Sequence, residues 1–384
     1  MTRTTAFVFA SSVALRLASV AAAPAADAVP ALPGWATPLR SPHYAGYLAS
    51  TGGKQLHYHL VLSESAPTVD PVVIWMNGGP PCSSQIGLWL EVGPLSEASD
   101  GSGLVENSGR WSQNASLLIM EGPVGVGYSY WPGGPSPPWP ANDTTTADDF
   151  LAALRSFYAA FPELASRDLW ITGESYAGVY VPTLARAVLA AGLSTTLRGI
   201  LVGNGAVATG TDYEAGLVRQ RMEHAFAHSL FSIKTRAAID AACDPDWVNR
   251  SPACSAALSQ MSAEVGPLNA YNIEVTCGNG ERLRSLLTGT TDASGPLDNG
   301  ADPCTAADNA LTTYLQSAAV RTALHVSSSA GTWAECAGGG AVRYTREPGD
   351  ERTGLYPQLL SAGLHVLIYN GDQDECIPLA QVRE

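Results

Sequence analysis

Six residues, Gly173-Glu174-Ser175-Tyr176-Ala177-Gly178, constrain this chain more than any others. Before them runs Leu169-Trp170-Ile171-Thr172, a short apolar and partly β-branched stretch that reads as a buried strand. After them Val179 to Leu189 reads as an apolar helix with Pro182 in its first turn. A glycine-flanked serine between a strand and a helix is the setting of a nucleophile elbow. The bend tolerates only small residues beside the serine, and Ala177 at the fifth position is small enough. Backbone N–H groups at the start of the following helix then face any oxyanion formed there. An ordinary strand-to-helix turn could carry the same residues, since glycine and serine are common, so the rest of the chain has to decide.

A length of 384 residues suits one large α/β domain with an insertion. The apolar fraction of 46% can build a sizeable core, and a charged fraction of only 15% argues against a disordered or coiled-coil protein. With a net charge of −14 and no basic patch, nucleic acid is excluded as a partner. Residues 1–23 read as a secretory signal, with Arg3 in front, an apolar run from Ala6 to Leu15, and Ala21-Ala22-Ala23 for cleavage, although Arg16 interrupts the run. No later stretch is long enough to span a bilayer, so no membrane partner is expected. Seven cysteines in an exported chain imply disulfides. Asn114-Ala115-Ser116, Asn142-Asp143-Thr144 and Asn249-Arg250-Ser251 are glycan acceptor sequons that agree with export.

From Leu56 to Leu62 the pattern alternates like an edge or hairpin strand, and His57 and His59 share one face that reads as solvated rather than metal-binding. Val72 to Met76 is a continuous apolar strand ending in Asn77-Gly78-Gly79-Pro80-Pro81-Cys82-Ser83-Ser84. Paired glycines at a strand end let backbone N–H groups approach a ligand, although Gly-Gly-Pro-Pro equally favours a plain tight turn. Leu117 to Met120 is a further buried strand, followed by Glu121-Gly122-Pro123-Val124-Gly125-Val126-Gly127. That glycine spacing is not the dinucleotide fingerprint and no P-loop lysine follows, which rejects a nucleotide site. Trp131 to Pro140 reads as a surface loop, and Thr145 to Phe161 as an amphipathic helix with a Thr145–Asp148 capping box. Ile200 to Val202 is another strand, closed by Gly203-Asn204-Gly205. Strands alternating with helices imply a mainly parallel sheet. From Thr209 to Pro303 buried strands vanish and polar helical pieces appear, as in an inserted cap. Thr305 to Leu324 reads as one helix with a Thr305–Asp308 capping box. Val366 to Tyr369 is a late core strand running into the acidic turn Asn370 to Pro378, at the strand end where α/β active sites lie.

These stretches together resemble the serine carboxypeptidases, α/β-hydrolase enzymes that remove C-terminal amino acids. The matching segments are Trp75 to Pro80, Cys82 to Ser84, Glu91 to Pro94, Pro123 to Ser129, Gly173 to Gly178, Gly203 to Gly205, Ala323 to Val326 and Gly371 to Asp374, in family order. The resemblance implies a central mainly parallel sheet flanked by helices. Its core is 24–208 and 304–384, and 209–303 is the mostly helical cap. Ser175 would be the acylated nucleophile, and Asp374 rather than Asp372 would orient the catalytic histidine. The amides of Gly79 and Tyr176 would form the oxyanion hole. Trp75, Asn77, Glu91 and Glu174 would grip the substrate's terminal carboxylate, and because like charges repel, that grip needs a shared proton and favours acidic pH. The implied disulfides are Cys82–Cys336, Cys243–Cys254 and Cys277–Cys304, leaving Cys376 over. The implied partners are peptides with a free C-terminus, with no cofactor and no metal, in the secretory pathway, either secreted or in the lysosome or vacuole. A homodimer stays open.

Two features depart from the family pattern. Pro81 stands where the family has glycine, and consecutive prolines restrict Pro80 to extended geometry, which would displace the Gly79 donor. No histidine follows Asp374, although the triad order in this fold is Ser, Asp, His. His43, His57, His59, His224, His228, His325 and His365 all precede it. The chain as given is therefore expected to be a fragment without the family's last strand and helix, and to be inactive for want of a base. An inactive binding or protective homologue and an acyltransferase using sugar esters remain as alternatives. Glu91 and Glu174 favour the peptidase.

Overall fold

A computed structural model describes residues 23–98, 103–193, 196–209, 211–243, 247–276, 306–338, 340–350 and 354–380. The signal region 1–22, the Cys277–Cys304 pair and the Thr305–Asp308 capping box lie outside the described residues or side chains.

Eight strands form the central sheet: β1 (Ala28–Val29), β2 (His43–Ala49), β3 (Gln55–Val61), β4 (Val72–Met76), β5 (Ser116–Met120), β6 (Leu169–Glu174), β7 (Leu197–Gly203) and β8 (His365–Tyr369). Their spatial order is β1-β2-β3-β5-β4-β6-β7-β8. Pairing is antiparallel from β1 to β5 and parallel from β5 through β4, β6 and β7 to β8. This is the expected α/β-hydrolase architecture. The register aligns Met76 with Gly173, Glu174 with Gly203, and Gly203 with Tyr369. The carboxyl ends of β4, β6, β7 and β8 therefore finish at one level, and the loops leaving them meet.

Helices cover both faces. They are α1 (Gln85–Leu90), α2 (Asp143–Ala160), α3 (Ala177–Ala190), α4 (Thr211–Ala227), α5 (Ile233–Cys243), α6 (Pro252–Val265), α7 (Ala306–Gln316), α8 (Ala318–Ala323) and α9 (Leu355–Ser361). One face packs Phe150, Leu154 and Phe157 of α2 and Val181, Leu184 and Val188 of α3 on Tyr58, Leu60 and Ile74. The other packs Leu88, Trp89, Leu311, Leu315, Leu324 and Trp333 on Val61, Val73 and Trp75. Each of these large side chains contributes about 1.5–3 kcal/mol by leaving water. Helices α4 to α6 pack around their own cluster of Val218, Met222, Ile239, Cys243, Cys254, Leu258 and Met261.

Several local expectations need correction. Strand β3 does form a hairpin with β2, but it lies inside the sheet between β2 and β5 rather than at an edge, and His57 and His59 are fully buried rather than solvated. Their face is covered by residues 311–333, so alternation here separates two buried faces, not an inside from an outside. Helix α2 begins at Asp143, and its capping box is formed by Asn142 and Thr145 rather than by Thr145 and Asp148. Asparagine is the better cap, and it places Thr145 at the third helical position. The end of the loop expected from Trp131 to Pro140 is instead a strand, Trp139–Asn142, that pairs in parallel with Val342–Thr345. The long helix expected from Thr305 to Leu324 is two, broken at Ser317, whose hydroxyl accepts from the Val320 amide to start α8.

Helix α3 starts two residues earlier than expected, which moves Pro182 into its second turn. Proline cannot donate to the carbonyl of Gly178, but the Tyr356 hydroxyl of α9 does, at 2.9 Å. Tyr356→Phe should therefore strand a buried carbonyl and cost about 1–3 kcal/mol in urea unfolding. An unchanged midpoint would mean that the bond contributes nothing.

Candidate active site

The chain leaves β6 through Ser175, whose φ of +58° is left-handed and uncommon for a residue with a side chain. The strain is held by the Ser175 amide donating to Gly203 O at 3.1 Å, and by Ser175 O accepting from Gly178 and Ala206, each at 2.9 Å. The flanking glycines are required by close approach. A Cβ on Gly173 would lie 2.3 Å from Met76 O, and one on Gly178 would lie 2.1 Å from Ala206 O. Ser175 is half-buried, so its hydroxyl is not lost in the core.

The Asn77 to Ser84 loop lies directly on this bend. A Cβ on Gly78 would come within 2.3 Å of the Tyr176 nitrogen and 2.9 Å of Ser175 Cβ. Gly79 is exposed with a φ of +101°. The amides of Gly79 and Tyr176 donate to no backbone acceptor among the described residues. The loop is pinned by the Cys82–Cys336 disulfide, by the Cys82 amide on Gly78 O at 3.1 Å, and by the Ser83 amide on Glu335 O at 2.7 Å. The second disulfide, Cys243–Cys254, joins α5 to α6, and Cys376 belongs to neither.

Beneath the loop lies Glu121, fully buried at the end of β5. Its carboxylate accepts from the Ser83 hydroxyl, from Trp333 Nε1 at 3.1 Å and from the Tyr128 amide at 3.0 Å. His57 Nδ1 stands 3.3 Å away. Gly127 is needed here too, because a Cβ would fall 1.7 Å from a Glu121 oxygen.

Beside the bend the structure brings Trp75, Asn77, Glu91 and Glu174 together. Asn77 Oδ1 accepts from Trp75 Nε1 at 3.0 Å and from the Gly87 amide at 2.9 Å. That fixes the amide orientation, so Nδ2 donates to Glu174 Oε1 at 2.8 Å and to Glu91 Oε1 at 3.3 Å. Burial raises both carboxyls above their ordinary range. Glu174 rises well above it, and the neighbouring charge of Glu91 adds to the burial.

Asp374 is buried in the turn after β8, whereas Asp372 is exposed. Its carboxylate accepts from Asn204 Nδ2 at 2.7 Å, from the Cys376 amide at 2.8 Å and from the Ile377 amide at 3.3 Å. Burial raises its pKa against these donors. Asn204 also takes the Gly371 amide at 3.1 Å, which makes it the clamp between β7 and the acidic turn. Its place in Gly203-Asn204-Gly205 marked a turn but not that role.

None of the seven histidines is hydrogen-bonded to Ser175 among the described residues. His57 bonds Leu324 O, His59 bonds His43, and His325 bonds Ala45 O. His365 stacks on Trp170, and His224 of α4 lies against His228 just past the helix end.

A strained serine at a strand-to-helix bend, with a backbone loop on top of it and a buried aspartate two strands away, is the arrangement of an α/β-hydrolase. The sequence profile described as serine carboxypeptidase matches residues 33–384. A serine carboxypeptidase of Caenorhabditis elegans is 34% identical over 398 residues, covering 96% of this chain and 79% of the relative. The lysosomal protective protein of Mus musculus is 34% identical over 379 residues, covering 92% and 78%. Among solved structures, a prohormone-processing carboxypeptidase of Saccharomyces cerevisiae superposes with a TM-score of 0.64 at 20% identity, over 89% of this chain and 76% of that one. The chain belongs to the serine carboxypeptidase family, whose members are hydrolases acting on peptides. No helix among the described residues is long and apolar enough to cross a membrane.

Proposed function

We propose that this protein removes single C-terminal amino acids from peptides, with Ser175 as nucleophile, in an acidic compartment of the secretory pathway. The observation that carries the proposal is the Asn77-centred pair of carboxyls beside the nucleophile. An amide held between two glutamates whose pKa values burial raises is a donor set for a carboxylate, and its position next to Ser175 suits a substrate that ends one residue past the cleaved bond.

Ser175 Oγ attacks the carbonyl carbon of the last peptide bond, and its proton would go to an imidazole oriented by Asp374, a base that none of the seven histidines of this sequence supplies at Ser175. The carbonyl oxygen becomes an oxyanion under the Gly79 and Tyr176 amides. As the intermediate collapses, the imidazole returns the proton to the leaving amine and the free amino acid departs. Water then cleaves the acyl-enzyme by the same path. The raised carboxyls, the disulfides and the mouse relative's lysosomal name support an acidic lumen.

Paired substrates test the proposal. The full-length gene product should release the last residue of an N-blocked dipeptide acid with a kcat/KM at least about a hundredfold above that for the dipeptide amide, since the amide leaves the carboxyl pair unmatched. Equal rates on both would remove the carboxylate grip.

A further inference from the structure

The acidic turn after β8 is held on one side by Asn204 at the end of β7 and on the other by the segment inserted after β7. Ala270 O accepts from the amides of Glu375 and Cys376, at 2.9 and 3.0 Å, and the Ile273 amide donates to Gln373 O at 3.1 Å. Arg221 of α4 donates twice to Cys376 O, from Nε at 3.0 Å and Nη2 at 2.6 Å. One turn further along α4, His224 Nε2 donates to Asp372 O at 2.8 Å, and Nδ1 meets Glu375 Oε2. The imidazole thus touches the turn on both sides of Asp374.

Glu375 has no solvent exposure, and its second oxygen has no partner among the described residues. Two buried carboxyls on adjacent residues, Asp374 and Glu375, are costly unless a proton or cation compensates one of them. His224 supplies it. With Nε2–H committed to Asp372 O, one proton must lie between Nδ1 and Oε2, as imidazolium with carboxylate or as imidazole with carboxylic acid.

We propose that His224 is a positioning residue for the reaction: through Glu375 and the Asp372 carbonyl it holds the turn that presents Asp374, and so makes turnover depend on the helical insertion. The proposal rests on Asp374 being the residue that orients the catalytic imidazole. The groups facing the pair are Asp372 and Asp374 on the turn, Arg221 on α4 and His228 just past its end.

The contact carries its own pH dependence. Burial raises Glu375 to about 7, against the opposing pull of His224. Burial lowers His224, but the bond to Glu375 and its charge outweigh it and the net shift is upward. Both folded values lie above the unfolded ones, so the contribution is full in acid and is lost as pH rises through them. Once the proton leaves, Nδ1 and Oε2 face each other as two acceptors and the turn loosens.

His224→Gln and Glu375→Gln test this in the full-length gene product, with rates expressed per serine titrated by a fluorophosphonate. His224→Gln should lower kcat by about tenfold to a hundredfold, the scale of a misplaced catalytic group, and leave KM within about twofold because the carboxyl grip is untouched. Glu375→Gln should lower kcat less and remove the loss of kcat near neutral pH. A lower melting temperature with unchanged kcat in both variants would reduce the pair to a structural tie, and a change in KM alone would place it with substrate binding; either overturns the proposal. Should a variant fail to fold, 15N-histidine spectra of the unmutated protein decide. The imidazole of His224 should keep its proton on Nε2 and a strongly hydrogen-bonded Nδ1 at pH 6, and a proton on Nδ1 alone, or the averaged signals of a free exchanging imidazole at position 224, overturns the proposal. Absence of any peptide hydrolysis by the unmutated protein would instead count against the proposed function, and the spectra would still test the clamp.

Discussion

Ser175→Ala should abolish peptide hydrolysis by the full-length gene product while leaving the fold intact. The expected loss in kcat is on the order of ten-thousandfold to a millionfold, since no other side chain can form the acyl-enzyme. A companion change, Ser175→Gly, should be equally inactive but more stable than the parent. Ser175 sits at a φ of +58°, which glycine adopts freely. Relief of that strain is worth about 1 kcal/mol, read as a higher denaturation midpoint for glycine than for alanine. Strain held at the reacting position is thus separable from chemistry in one pair of variants. Residual turnover in Ser175→Ala within tenfold of the parent would remove the serine from the mechanism.

The second large effect is a pH dependence of substrate binding. Glu91 and Glu174 are both raised by burial, and Glu174 further by Glu91. A carboxyl raised by folding favours the folded state in acid, and the favour disappears as pH climbs through the raised value. The substrate's carboxylate adds a third negative charge, so KM should climb by about tenfold or more between pH 5 and pH 8. Glu174→Gln keeps an acceptor for Asn77 and removes one titrating charge. Its KM should climb less steeply with pH because only Glu91 still titrates, lying somewhat above the parent's in acid and below it at pH 8. A parallel pH profile in parent and variant would show that this pair does not hold the substrate.

The nucleophile bend was legible because everything that makes it is local: an apolar run, small residues around Ser175, and a helix behind. The loop at Gly78 and Gly79 was legible for the same reason, and the family pattern then assigned Glu91 and Asp374. The buried state of His57 and His59 was not, because the residues that cover them lie between 311 and 333 and nothing near β3 announces them. The cap of α2 was misplaced by three residues, since Thr145 is a competent cap and Asn142 lay in what looked like loop. The His224–Glu375 contact joins residues 151 apart, and neither sits in a recognisable motif. Glu121 had a visible place at the end of a strand before three glycines, but its partners come from four stretches, at His57, Ser83, Tyr128 and Trp333.

That last arrangement has a bearing on how sequence variants would be read. Ser83, Tyr128, Trp333 and His57 converge on one carboxylate under the loop that rests on Ser175. That loop, which carries the proposed oxyanion donor Gly79, consequently inherits the alignment of a tryptophan 158 positions downstream of Ser175, 333 less 175. A change near position 333 would present in an assay as poor chemistry, though it lies far from the nucleophile along the chain.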